Sequence, residues 1–291
     1  MAKTTDRVAL NDWYVIGQIS DTVIGEYRRT SLLGQAIASI RDDTGSIQVV
    51  EVSETGEYVK ILPVIERYGH TWTTLGKPQK EILEIPEYDD PDRRITLVGS
   101  VTVRASGLRI VENFLDLGHF PYVHPGLLGS EPRTEVAGYR AEIREDVDEV
   151  WATDITFHQD RAMLSATTAQ DVHYRYRVHS PFVTILYKTC PEKPDVWDVV
   201  GLFVQPLEET LCNVYAFMLV VDTQNTDVDL LHFQQLIFLQ DRRILENQLP
   251  SGLPLDPTVE ISIAPDVTSV QYRRWLKRRG LLFGTYQGDL P

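Results

Sequence analysis

Apolar and polar positions alternate with a period of two through much of this chain and switch to a helical period in three places. Early on, Trp13–Ile16, Gln35–Ile40 and Ser46–Val52 are β-rich runs bounded by Gly25, Gly34 and the Asp42–Gly45 turn. Residues 77–94 are polar and rich in proline and acid, with Pro78, Pro86 and Pro91, and read as a linker. Ile95–Val103 reads as a strand. From 136 to 222 the pattern predicts antiparallel β: His173–His179 alternates, and Val200–Val221 reads as a hairpin with its turn near Pro206. Helical periodicity then covers Val228–Gln248, stopped by Pro250. Val259–Lys277 starts strand-like and continues as a helix capped near Asp266.

The chemistry concentrates directly after the strand at 95–103. An amphipathic helix opens at Gly107 and puts Asn113, Asp116 and His119 at i, i+3 and i+6, on one face. His124 follows five residues after His119, a spacing that on one continuous helix points it away from its partner. Pro121 breaks or restarts the helix, so the two imidazoles can turn toward one point. Converging neutral imidazoles with carboxylates nearby are two-thirds of a 2-His-1-carboxylate iron site, which leaves open positions on Fe(II) for dioxygen. The plain alternative is a helix end bearing two surface histidines.

Composition narrows the classes. The chain has 291 residues, 43% hydrophobic and 24% charged, which suits a soluble globular protein of one large or two modest domains. A formal charge of -14 repels phosphate and argues against nucleic acid and anionic membranes. No apolar run reaches spanning length and Met1–Arg7 carries no apolar signal core, so a cytoplasmic location is expected. Cys190 and Cys212, the two cysteines, fit buried free thiols of a reducing compartment. His70, His158, His173, His179 and His232 are expected in structural or surface roles.

The run Glu112–Pro125 resembles the catalytic-domain signature of the Rieske-type non-haem iron oxygenases, Glu-Asn-Phe-x-Asp-x-x-His-x4-His-Pro. Glu112, Asn113, Phe114, Asp116, His119, His124 and Pro125 all match it. Residues 228–248 resemble the family's long closing helix, whose Phe-x-x-Asp-x-x-x-x-Glu-x-Gln pattern is met by Phe238, Asp241, Glu246 and Gln248. The resemblance implies Asp241 as third iron ligand beside His119 and His124. On spacing alone, Asp241 could equally pair with Arg242 or Arg243 on a solvated face. Implied too is an α+β fold: a helix-grip catalytic domain over 95–291, with a curved antiparallel sheet around a long helix. Residues 1–76 resemble a truncated, β-rich Rieske domain, joined through the linker at 77–94. A Rieske [2Fe–2S] centre takes two cysteines and two histidines, in this family as Cys-x-His and Cys-x-x-His. Neither motif occurs here, so the chain is expected to hold no such cluster.

The wording Asp-x-x-Ser-x-Gln-Tyr-Arg-x-Trp-Leu from Asp266, with His119–Gly126 and the closing helix, resembles bacterial methylxanthine N-demethylases, the N7-demethylating subunit in particular. That implies oxidative N-demethylation at mononuclear Fe(II), with 7-methylxanthine giving xanthine and formaldehyde. Electrons from NADH would arrive through a separate Rieske-containing reductase or ferredoxin-like protein, in a trimer or hetero-hexamer. Asp116 takes the place of the family's electron-transfer bridge, and Asn113 is expected near the iron without being a firm ligand. Gln234 and Phe238 precede Asp241 by seven and three residues and share its helical face. An amide and an aromatic ring suit a planar purine dione; a core Phe and a surface Gln are the plain alternative. Two rival functions stay open. An O-demethylase or hydroxylase of another aromatic substrate would be favoured by an arginine in place of Gln234. An iron-free binding or structural subunit is countered by the joint retention of His119, His124 and Asp241.

Overall fold

The structure, a computed structural model, describes residues 3–164, 166–190, 193 and 195–288. Helix α1 (Arg7–Leu10) precedes seven strands: β1 (Tyr14–Gln18), β2 (Tyr27–Leu32), β3 (Gln35–Arg41), β4 (Ile47–Val52), β5 (Tyr58–Leu62), β6 (Val64–Arg67) and β7 (His70–Thr73). Strand β8 (Arg94–Val103) leads into α2 (Gly107–Leu115) and the single turn α3 (Phe120–Val123). Six strands follow: β9 (Arg140–Arg144), β10 (Glu149–Gln159), β11 (Gln170–Ser180), β12 (Val183–Thr189), β13 (Trp197–Glu208) and β14 (Leu211–Val220). Helices α4 (Asp227–Leu245) and α5 (Val267–Arg279) come last.

The larger sheet is antiparallel, in the order β8-β14-β13-β12-β11-β10-β9, and β8 returns to pair with β14. Successive side chains of a strand face opposite ways, and here both faces are covered. Along β13, Val204 and Leu202 enter the core beneath the helices. Val199 and Phe203 enter a second core with Trp72 of β7 and with Ile82, Leu83 and Ile85 of the 77–94 segment. Double coverage explains why β13 and β14 read as nearly continuous apolar runs. The sheets β1-β7-β6 and β2-β3-β4-β5 contain the N-terminal strands read from the sequence. His70, in β7, is fully buried among Phe203, Tyr215 and Phe217; burial holds its pKa down, to about 4.

Two local expectations are corrected. The hairpin turn lies at Glu209 and Thr210, since Pro206 still pairs with Cys212 inside the ladder and the irregularity its ring imposes is absorbed between Pro206 and Glu208. Residues 259–263 form no strand: Glu260 is drawn into buried ion pairs, and Ile261 stands 94% exposed beside it. The helix after them does begin at an Asp266 cap, although that carboxylate turns back to accept from Ile263 N at 2.8 Å.

Glu149 ties the 77–94 segment to the sheet. Its carboxylate accepts from Arg177 at 2.8 and 2.9 Å, from His179 Nδ1 at 2.7 Å and from Trp151 Nε1 at 2.9 Å. Lys80 stands 3.7 Å away and donates to the Asp148 and His179 carbonyls. Burial alone would raise the pKa of Glu149, but His179 and Arg177 outweigh it and hold the carboxyl far below the usual range. A depressed folded-state pKa gives stability that is present above the unfolded carboxyl's pKa and is lost as pH falls through the folded value. Glu149→Ala should therefore cost about 3–5 kcal/mol in urea denaturation at neutral pH, by stranding buried cations. The difference from wild type should shrink on acidification; equal stability at neutral pH would remove Glu149 from this role.

Candidate metal centre

The helix that feeds the site is seated on the sheet by its first residue. A Cβ on Gly107 would lie 2.8 Å from the Phe182 ring and 2.9 Å from Val204, so glycine permits the close approach. Ser106 caps the helix, accepting from Leu108 N at 3.2 Å and donating to Gly284 O at 2.6 Å. One turn on, Arg109 is buried and meets Glu112, Glu260 and the Pro250 carbonyl, while Arg273 of α5 bridges the same two glutamates. Glu112, a signature residue, thus locks α2 against α5. Burial raises its pKa despite Arg273 and Arg109.

The helix stops earlier than its spacing predicts. It ends at Leu115; Asp116 is already extended, and its Oδ1 accepts from Gly118 N at 2.7 Å. That turn competes with the helical pattern, so His119 is not on one helical face with Asn113. It begins the short turn α3, with Pro121 near its start. The break therefore precedes His119 rather than following it, and still brings the imidazoles together. Helix α4 ends at Leu245, not Gln248, where Glu246 turns back to accept from Arg104 N and Arg242 Nε.

Three donor atoms converge. His119 Nε2 and His124 Nε2 are 3.2 Å apart, and Asp241 Oδ1 lies 3.3 Å from the first and 2.9 Å from the second. Asp241 faces the histidines, while neighbouring Arg242 pairs with Glu246. The outer nitrogens are engaged: His119 Nδ1 donates to Asp116 Oδ2 at 3.0 Å and His124 Nδ1 to Gln240 Oε1 at 2.8 Å. These bonds fix the tautomers and leave both Nε2 lone pairs directed inward. Asp241 Oδ1 is buried without a hydrogen-bond donor in good geometry among the described residues. Donors about 2.1 Å from one ion at right angles stand about 3 Å apart, and all three separations fit one face of such a polyhedron. Among the described residues this is the one cluster of at least three His, Cys, Asp or Glu side chains arranged to hold a metal ion. Burial pulls His119 down, but Asp116 and Asp241 outweigh it and lift the imidazole to about 9; Asp241 is lowered because the two histidines overcome its burial. The centre is built for positive charge.

Beside it lies a cavity with about 130 Å³ open to the centre of a water-sized sphere, a size that suits a small ring. Phe120, Tyr174, Tyr176, Leu202 and Met218 line it, and Gln234 and Phe238 stand on its α4 wall as their spacing predicts. The Gln234 side chain has no hydrogen-bond partner among the described residues. Asn113 and His119 border both this cavity and an outer cleft that includes Asp116, Gln248 and Ile261. Sequence reasoning missed Gln240, Lys188 and Asp198. Gln240 had only its place beside Asp241 as a signal. Lys188 and Asp198 had the rarity of charge on the inward positions of apolar strands. His158, His173 and His179 pair with Asp171, Thr156 and Glu149, away from the centre.

Known proteins place this geometry. The family description "vanillate O-demethylase oxygenase C-terminal domain" matches residues 103–280. A probable methylxanthine N7-demethylase of Pseudomonas sp. (strain TJI-51), NdmC, is 41% identical over 96% of this chain and 97% of its own. The methylxanthine N1-demethylase NdmA of Pseudomonas putida is 27% identical over 73% of this chain and 58% of its longer sequence. The structure of P. putida CBB5 NdmA with caffeine superposes with a TM-score of 0.74 at 17% identity, covering 91% of this chain and 89% of that one. Dicamba monooxygenase bound to 3,6-dichlorosalicylic acid gives 0.75 at 15% identity, over 94% and 98%. At those identities the superpositions establish the fold, a Rieske-oxygenase catalytic domain. No described helix is long and apolar enough to cross a membrane. With the signature residues gathered at one centre and this span of sequence shared, the chain belongs to the Rieske-type non-haem iron oxygenases, in the group that includes the methylxanthine N-demethylases.

Proposed function

We propose that this chain catalyses O2-dependent oxidative N-demethylation of a methylxanthine, 7-methylxanthine to xanthine and formaldehyde, with electrons from a Rieske centre on a separate protein. The observation that carries the reading is the inward convergence of two imidazole lone pairs and the donor-free Asp241 oxygen beside an apolar, ring-sized cavity. His119, His124 and Asp241 would hold Fe(II). When bound, the ion supplies dioxygen activation, and the overall change is N–CH3 + O2 + 2 H⁺ + 2 e⁻ → N–H + HCHO + H2O.

The side chains around it bind, orient and exclude. Gln240 and Asp116 hold the two rings by their outer nitrogens. Gln234 presents an unpaired amide to the substrate and Phe238 a ring edge or face, while the aromatic wall keeps bulk water from the reacting methyl group. Asn113 borders the cavity together with His119. Among the described residues no arginine lines the cavity, and its one lining lysine, Lys188, stands beside Asp198, whose charge would repel an aromatic acid. Asp116 is partly exposed and faces the outer cleft, which suits it to couple a docked electron donor to His119. Residues 1–76 are then the remnant of a Rieske domain, 77–94 its connection and 95–291 the catalytic domain. A trimer or hetero-hexamer fits a donor that must reach each Asp116.

Three outcomes test this. His119→Ala, His124→Ala and Asp241→Ala should each lose iron, measured by elemental analysis, while far-UV circular dichroism stays unchanged; full iron retention by all three rejects the centre. Wild type with NADH and a Rieske-containing reductase should release formaldehyde from 7-methylxanthine, whereas a reductase lacking a Rieske domain should give none; equal turnover with both refutes the borrowed cluster. Asp116→Asn should keep its iron and lose roughly tenfold to hundredfold in turnover, as losses of a ligand's outer partner do; undiminished turnover would clear Asp116 of the relay.

A further inference from the structure

The cavity wall carries a cation and an anion that the metal centre does not use. Lys188 of β12 and Asp198 of β13 are direct cross-strand partners, and both side chains line the cavity. Asp198 is 8% exposed. Its Oδ1 accepts from Val221 N at 3.1 Å, and its Oδ2 has no hydrogen-bond partner among the described residues. The Lys188 ammonium donates to the carbonyl of Ala162, another lining residue, and has N–H groups to spare. No direct ion pair within 4 Å joins Lys188 to Asp198, so each keeps capacity for something between or beside them. The pair is near the chemistry: Lys188 also pairs with Tyr174, whose ring lies 6.4 Å from Phe120, itself 5.0 Å from His119.

A cation and an anion held in an apolar wall without direct contact recover only part of what their burial costs. Burial pushes Lys188 down to about 8 and Asp198 up to about 6, with each opposed by the other's charge. A neighbouring donor and acceptor match one ligand feature: a ring imide, whose C=O accepts and whose adjacent N–H donates. A lone carboxylate would satisfy the lysine and be repelled by the aspartate.

Building on the methylxanthine reading above, we propose that Lys188 and Asp198 are specificity-determining residues that read an unsubstituted –CO–NH– edge of the substrate's ring, Lys188 donating to the carbonyl and Asp198 accepting from the N–H. A ring methylated on every imide nitrogen would leave Asp198 without its donor, a loss sites of this kind punish strongly.

The test is calorimetric binding of 7-methylxanthine, caffeine and vanillate to iron-loaded wild type, Lys188→Met and Asp198→Asn. Asp198→Asn keeps an acceptor for Val221 N and serves if Lys188→Met does not fold. Wild type should bind 7-methylxanthine at least tenfold more tightly than caffeine, and each variant should weaken 7-methylxanthine while leaving caffeine little changed, so that the preference collapses. If the variants weaken both xanthines equally, or neither, the pair only braces the Ala162 loop and the assignment falls, with the demethylase reading intact. If wild type binds vanillate and neither xanthine, the substrate reading itself has failed.

Discussion

Two imidazoles cannot both aim a lone pair at one carboxylate oxygen unless positive charge lies between them, and the structure is arranged around that constraint. The usual escape, rotating a ring to find a donor, is closed because Asp116 and Gln240 already hold the outer nitrogens. In the absence of a metal a proton can answer the charge, which is why His119 is lifted to about 9. A divalent ion answers it with three bonds at once, and the 2.9–3.3 Å separations leave room for one.

Holding that geometry takes a rigid support on each side. Below, the sheet is packed on both faces, so the inward rows of β11 to β14 form a fixed floor. Above, the Arg109–Glu112–Arg273–Glu260 lattice clamps α2 to α5, and α4 is held at its two ends by Arg94 with Asp227 and by Arg104 with Glu246. Buried charge of this kind contributes little net stability but fixes one arrangement among several that packing alone would allow. The signature glutamate belongs to this support and not to the chemistry. His119 is thereby left as a wall between two spaces, an apolar cavity for the ring and an outer cleft beside Asp116.

Much of this was legible in the sequence. The strands, the closing helix and its inward row of Gln234, Phe238 and Asp241 follow from periods of two and 3.6, because burial of one face imposes them. Local competition was less legible. The Asp116–Gly118 turn ended α2 before His119 and Glu260 pulled its segment out of extended form, in both cases through a side-chain bond that overrode the propensity of the stretch, while Pro206 stayed within its ladder because the strand pairing continued past it.

The sequence by itself determined the donor types, the breaking of the helix between Asn113 and His124, and the lack of the cysteine and histidine motifs for a cluster, since these depend on residue identity and near neighbours. Only the tertiary structure decided that Asp241 meets His119 and His124 rather than Arg242, that Gln240 orients His124, and that Lys188 and Asp198 face the ring cavity. Those are contacts between residues distant along the chain, and strand register and helix rotation, which no local pattern encodes, set them.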